Sequence, residues 1–257
     1  MKIAITRGIS PRFAECELTH LEREPIDLGR AHAEHAAYLM TLRALGIEVI
    51  ELPALAEYPD CMFVEDAAVA FAECAVITRP GSLARRGETR ALELALAPYR
   101  TLRRIEAPGT LDGGDVLTIG RQVFVGDTPR SNTEGAAQLA RHLAPWGYSV
   151  HRVPVDGCLH LKSAVTEAAP GTLLINPAWV AREPFAGFRQ VEVDPQEPAA
   201  ANVLLIGTTP IYALHYRRTL ARLRAAGIEP VLVDAGEVAK AEGAVTCCSV
   251  VFDAPAS

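Results

Sequence analysis

The sequence has no apolar stretch close to the ~18 residues that a membrane span requires. Its start, Met1-Lys2-Ile3-Ala4-Ile5-Thr6-Arg7, lacks the long apolar core of a signal peptide. No lysine- or arginine-rich run occurs and the net charge is -6, which argues against nucleic acid as the main partner. The six cysteines, Cys16, Cys61, Cys74, Cys158, Cys247 and Cys248, contain no C-x-x-C pair. The adjacent Cys247 and Cys248 suit neither a zinc knuckle nor an ordinary disulfide. No D-x-D-x-D-G calcium loop, low-complexity stretch or interdomain linker is found. These absences predict a soluble, cytoplasmic protein with no membrane or nucleic-acid partner, folded as a single domain over residues 1–257. What is present supports this: 257 residues, 49% hydrophobic and 22% charged, are ample for a buried core and unlike a disordered chain.

Glycine and proline punctuate the chain in a recurring order. Ala31 to Leu45 reads as a helix stopped by Gly46, and Ile47 to Leu52 as a strand before Pro53. Arg86 to Pro98 is a second helix pattern, followed by a strand over Leu102 to Glu106. Asn132 to Trp146 is a third, stopped by Gly147 and followed by Tyr148 to Val153. Gln190 to Val193 is a strand, and Tyr216 to Ala226 is a helix stopped by Gly227 before a strand ending at Val233. Hairpin patterns fall between them: Ala67–Phe71 with Ala75–Thr78, Val116–Ile119 with Gln122–Val125, and Val203–Ile206 with Ile211–Leu214. The unit is strand, strand, helix, strand, recurring every ~40–55 residues. Such a period predicts an arrayed, propeller-like α/β fold of about five modules. An ordinary layered α/β fold is the alternative. In a ring, loops from distant parts of the chain would converge on the axis and share one site.

Several residues could carry chemistry there. In Gly243-Ala244-Val245-Thr246-Cys247-Cys248, a cysteine sits where a loop becomes a strand. Most lone cysteines are small buried hydrophobes, so a nucleophile needs a general base nearby. His160, between two leucines after a turn, is the best base among the seven histidines. His20, His32, His35, His142 and His151 read as surface residues, whereas His215 ends an apolar strand. Asp60, Glu65 and Asp66 flank an apolar core in Asp60-Cys61-Met62-Phe63-Val64-Glu65-Asp66, a placement suited to receiving a guanidinium fork or to a solvated loop. Asp112-Gly113-Gly114-Asp115 reads as a tight turn. Arg85 and Arg130 precede helix starts, where arginines usually face solvent; on a shared axis they could instead grip the carboxylate of a zwitterion.

Together these segments resemble the dimethylarginine dimethylaminohydrolase family of the guanidino-group modifying pentein superfamily. The matching stretches are Pro59 to Asp66, Ile77-Thr78-Arg79-Pro80-Gly81 with Arg85-Arg86, Gly109 to Val116, Arg130-Ser131-Asn132, Leu159 to Ser163, and Val245 to Val250. They occur in family order across nearly the whole chain. The resemblance implies a five-bladed α/β propeller of ββαβ modules with pseudo-fivefold symmetry. It implies a nucleophilic Cys247, an acid/base His160, and Asp112 to hold and polarise that histidine. Asp60, Glu65 and Asp66 would contact the substrate's guanidinium or amino group, Arg85 and Arg130 its α-carboxylate, and Leu18 and the backbone near Ala241 would line the pocket. The implied reaction hydrolyses asymmetric dimethylarginine or monomethylarginine to citrulline and an amine through a covalent Cys247 thiouronium. No metal or organic cofactor is implied, although zinc could inhibit by binding the thiolate and His160. The alternatives are an arginine deiminase or amidinotransferase, or a non-catalytic propeller that binds arginine. A homodimer is allowed by this reading.

Overall fold

A computed structural model describes residues 1–254. Its strands and helices, in chain order, assemble into five three-stranded sheets, each built the same way. The first contains β1 (Lys2–Arg7), helix α1 (Leu28–Ala44) and β2 (Glu48–Leu52). The second has β3 (Ala68–Ala70), β4 (Cys74–Ile77), α2 (Thr89–Leu96) and β5 (Thr101–Arg104). The third has β6 (Val116–Ile119), β7 (Gln122–Asp127), α3 (Thr133–Leu143) and β8 (Ser149–Pro154). In the fourth, a short helix α4 (Leu161–Ala164) leads into β9 (Val165–Ala169), β10 (Thr172–Ile175) and β11 (Arg189–Glu192). The fifth has β12 (Val203–Ile206), β13 (Thr209–Ala213), α5 (Arg217–Ala225) and β14 (Val231–Val233). A four-residue helix α6 (Gly236–Ala239) then leads to β15 (Val250–Asp253).

In every sheet the middle strand pairs antiparallel with one neighbour and parallel with the other, as β4 does with β3 and β5. An antiparallel partner can be reached through a tight turn, whereas a parallel one needs a crossover. That is why each hairpin is followed by a long excursion before its third strand. The first sheet obeys the rule by borrowing: β15 lies antiparallel to β1, with Ile3 opposite Phe252 and Ile5 opposite Val250. The last strand in the chain therefore completes the first module. The fourth module departs from the pattern. Its crossover carries only a one-turn 3-10 helix, Glu183–Phe185, because Pro177 and Pro184 interrupt any longer helix there.

The glycines read as helix stops behave as such: Gly46, Gly147 and Gly227 take φ of 75°, 73° and 83°, the left-handed conformation that ends helices. Side chains cap the starts, with Asp27 accepting from Arg30 N at 3.0 Å and Asn132 from Gly135 N at 2.8 Å. One histidine departs from expectation. His35 is only 6% exposed, because it shares the inward stripe of α1 with Ala31, Tyr38, Leu39 and Leu42. His20, His32 and His151 are exposed, and His142 and His215 half-buried.

The innermost strands, β3, β6, β9, β12 and β15, all contribute to one axial channel of about 350 Å³. Glu65, Lys162 and Thr246 line it as well. No helix among the described residues is long and apolar enough to cross a membrane.

Candidate active site

Each innermost strand is preceded by a short segment, and these segments meet at one end of the axial channel. Val64–Ala67 precedes β3, Gly113–Asp115 precedes β6, and α4 precedes β9. Asn202 stands just before β12, and Thr246 to Ser249 just before β15. Five modules thus deliver five loops to one place. Backbone and side-chain contacts lock them together: Glu65 N donates to Cys247 O at 3.2 Å. Thr246 N donates to Asn202 Oδ1 at 3.1 Å, and Asn202 Nδ2 to Lys162 O at 3.0 Å.

His160 is buried inside this junction. Its Nε2 lies 3.1 Å from Asp112 Oδ2, and its Nδ1 lies 3.8 Å from Asp66 Oδ1. Two glycines make the approach possible. A Cβ on Gly114 would fall 2.6 Å from His160 Nδ1 and 2.7 Å from Asp66 Oδ1, while one on Gly113 would strike Glu65 O at 1.9 Å. The sequence reading of this stretch as a turn therefore understates it, since the glycines clear space for two ionised side chains. Burial disfavours the imidazolium, but Asp66, the hydrogen bond from Asp112, and Asp115 outweigh it and raise the His160 pKa to about 9. At neutral pH the ring carries its proton.

Asp112 is held on three sides. Gly81 N donates to its Oδ1 at 2.8 Å, its own N–H donates to Ser131 Oγ at 3.1 Å, and Arg130 Nη1 stands 4.0 Å from Oδ2. Asp115, the second acid of the same turn, accepts from Leu161 N at 3.0 Å, Ser131 Oγ at 2.6 Å and Thr128 Oγ1 at 2.7 Å. It braces the backbone next to His160 and the serine behind Asp112. Burial pushes its carboxyl up to about 6.

Of the six cysteines, none disulfide-bonded, Cys247 alone is not fully buried. Cys248 is buried, its thiol directed at Ala244 O. Burial, with Glu65 and Asp66 nearby, raises the Cys247 thiol well above the usual range. Without a ligand, then, the thiol is neutral beside a protonated histidine. A cation placed between them would reverse the thiol's preference.

The arginines are not solvent-facing. Arg85 is buried, with Nη1 on Asp66 Oδ2 at 2.6 Å, Nη2 on Glu88 Oε2 at 2.8 Å, and further bonds to the Asp60 and Phe63 carbonyls. Carboxylates packed beneath it draw the guanidinium inward. This pairing, with His160, holds Asp66 down at about 2 despite its burial. Arg130 is freer: its buried Nη1 makes no hydrogen bond. A small cavity of about 20 Å³ is lined by Cys247, His160, Asp66, Asp60, Arg85, Arg130 and Ala241, among others.

Two expected pocket residues sit elsewhere. Leu18 packs against the hydrophobic cluster around α1 and is not among those lining the cavity. Glu65 turns its carboxylate toward the axial channel, paired with Lys162 Nζ at 2.5 Å and Thr246 Oγ1 at 2.8 Å. Burial still raises its carboxyl, against the pull of Lys162. The sequence reading passed over Asp115, Lys162 and Glu17. Asp115 and Lys162 lie inside quoted motifs, but nothing local to them signals partners 46 and 97 residues away.

Asp66, Asp112 and His160 bring ligand atoms within 4.8 Å of one another. Asp66 is already spent on Arg85 and on Gly114 N at 2.9 Å, and His160 is protonated, so the trio fits proton handling better than metal binding.

No protein-family model matches the chain. It is 44% identical over 251 residues to the N(G),N(G)-dimethylarginine dimethylaminohydrolase of Streptomyces coelicolor, covering 97% of this chain and 96% of that one. The enzyme of the same name from Pseudomonas aeruginosa is 33% identical, covering 88% of this chain and 90% of that one. A solved structure of the Pseudomonas aeruginosa protein, a cysteine-to-serine variant in complex with citrulline, superposes with a TM-score of 0.93 at 31% identity, over 97% of this chain and 98% of that one. By sequence across nearly its full length, and by the fold of five three-stranded modules, this chain belongs to the dimethylarginine dimethylaminohydrolase family.

Proposed function

We propose that the chain hydrolyses Nω-methylated arginine to citrulline and methylamine or dimethylamine, acting as a single catalytic domain. The observation that carries this is the meeting of a half-buried Cys247 with a protonated, carboxylate-held His160 and the buried Asp66 at the mouth of the axial channel. A guanidinium is a poor electrophile because its charge is spread over three nitrogens. It needs carboxylates that fix it as a cation and a thiolate placed against its carbon.

Asp66 receives the guanidinium, and Glu65 adds negative charge from the channel side. Arrival of that cation offsets the two carboxylates that hold the Cys247 thiol neutral, so the thiol ionises where it is used. The Cys247 sulfur then bonds to the guanidinium carbon, giving a tetrahedral adduct. His160 gives its proton to the departing methylated nitrogen, the C–N bond breaks, and a thiouronium stays on the cysteine. Neutral His160 next takes a proton from water as its oxygen bonds to the same carbon. The C–S bond breaks, citrulline leaves, and the thiolate and imidazolium return. Asp112 fixes the ring and favours its charged form throughout. At the other end, Asp60 receives the α-amino group, while Arg130 and the remaining Nη1 hydrogen of Arg85 receive the α-carboxylate. Leu18 and the backbone near Ala241 border the path inward.

A cytoplasmic setting belongs to the same proposal, and six unpaired thiols suit a reducing compartment. The deciding experiment measures citrulline release from dimethylarginine, monomethylarginine and plain arginine side by side. Faster turnover of plain arginine would make the chain a deiminase and overturn this reading. Cys247→Ser is expected to abolish turnover while calorimetry still detects ligand binding.

A further inference from the structure

The segment 16–27, between β1 and α1, has no helix or strand, yet it crosses the mouth of the site. Glu17 lies in it, and its contacts are unusual in combination. Its side-chain Oε2 lies 3.2 Å from Arg130 Nη2, and its Oε1 accepts from Ser82 Oγ at 2.8 Å. Its backbone N–H donates to Asp60 Oδ2 at 3.2 Å. A carboxylate on Arg130 and an N–H on Asp60 are the two contacts that an α-amino acid head group would make there.

We propose that Glu17 is an internal stand-in for the substrate head group, and that it sets the preference of the site for ligands carrying an α-carboxylate. The inference rests on the reading of Arg130 and Asp60 given above. With Glu17 seated, the cavity of about 20 Å³ holds roughly one water and no arginine-sized ligand. Substrate must therefore displace it. An incoming α-carboxylate replaces what Glu17 gives up: Arg130 exchanges one carboxylate for another, and its unpartnered Nη1 gains an acceptor. A guanidine without the α-carboxylate evicts Glu17 and leaves a cation uncompensated. Glu17 thus weakens every ligand, but it weakens head-group-deficient ones most if they must open the site fully.

A second carboxylate shapes how far the segment moves. Glu242 accepts from three successive amides of the same stretch, Thr19 and His20 at 3.0 and 2.5 Å and Leu21 at 2.6 Å. Its backbone sits at φ 56°, a left-handed conformation uncommon for glutamate. Residues 19–21 stay pinned by this clamp while Glu17 swings, so exchange at Arg130 requires only a local rotation.

The test is calorimetry with L-citrulline, which needs no turnover, and with its decarboxylated analogue 4-ureidobutylamine. Glu17→Gln keeps the backbone N–H and removes the competing charge. L-Citrulline is expected to bind about five- to tenfold more tightly to Glu17→Gln than to the parent chain, because the fraction of sites with Arg130 available rises. The same substitution in an Arg130→Gln background should change citrulline affinity less than twofold. Unchanged or weaker citrulline binding in Glu17→Gln overturns the proposal. So does an equal gain in the Arg130→Gln background, since Glu17 would then act only by holding the segment closed. The analogue is expected to bind more weakly than citrulline to both forms, and equal affinity for the two ligands would also refute it. Methylarginine turnover by the parent chain tests the catalytic reading separately, so either can fail alone.

Discussion

A histidine with a pKa near 9 makes the site sensitive to alkali in a defined direction. The leaving nitrogen needs the His160 proton, so kcat/KM should fall as pH rises through about 9. In Asp112→Asn the hydrogen-bonded negative partner is gone, and the falling limb should move to lower pH together with a large loss of kcat. A limb that stays in place would show that Asp112 does not set the charge of the ring. The same shift is a stability statement. The folded pKa of His160 exceeds the usual value of 6.5, so its contribution is complete below about 6.5 and is lost as pH climbs toward 9. Urea denaturation should report that decline in the parent chain, and a shallower one in His160→Gln. Gly114 belongs to this scale too. Gly114→Ala would push a methyl between His160 and Asp66, and kcat is expected to drop at least tenfold with the circular dichroism spectrum unchanged.

Among the elements, α3 ties helix structure to site geometry. Asn132 caps the helix through Gly135 N, and the same Oδ1 accepts from Thr110 N at 3.0 Å while Nδ2 donates to Pro108 O at 3.0 Å. One side chain therefore starts a helix and anchors the loop that carries Asp112. Asn132→Ala should lower unfolding free energy by about 1–2 kcal/mol and also reduce kcat, whereas a cap acting only on the helix would leave kcat alone. Elements of this kind were legible in sequence because their signals are local: Gly46, Gly147 and Gly227 each follow a periodic apolar stripe and each adopts positive φ. The hairpins at β3–β4, β6–β7 and β12–β13 were legible for the same reason, being two apolar runs around a short turn. What escaped was non-local. Nothing near Ile3 reveals that its partner is Phe252, and nothing near Glu17 points to Arg130. His35 looked polar and exposed until the inward stripe of α1 was phased against the sheet.

For the whole molecule, the arrangement turns module count into site composition. Each module supplies one loop ahead of its innermost strand, so deleting any module would remove a different part: Asp66 from the second, Asp112 from the third, His160 from the fourth, Asn202 from the fifth. Cys247 comes from the first, through β15. That strand is held by pairing with β1 and by Val250 and Phe252, each 5% exposed, packed with Ile3, Ile5 and Ala75. Phe252→Ala should cost about 3–5 kcal/mol. Activity and secondary structure should then be lost together on heating, at a lower temperature than in the parent chain. If activity vanished while the fold persisted, β15 would be a dispensable flap and not part of the frame. Resemblance to a family supplied the roles, but the physical reason those residues can meet is the convergence of five strand entrances on one axis.

The pairing of β15 with β1 also has a bearing on how the molecule is made. On the ribosome the first strand emerges at the outset and waits, its edge unfilled, until nearly every other residue has been added. Cys247 arrives in that same closing stretch. A nascent chain therefore contains the acid, the imidazole and the guanidinium-binding carboxylates well before it contains the sulfur. The dangerous component, a thiol that ionises on contact with a cation, is installed last, into a cage already assembled. Translation arrested short of β15 would yield no partly active fragment, and each turnover detected in a cell extract would count a chain translated through its closing strand.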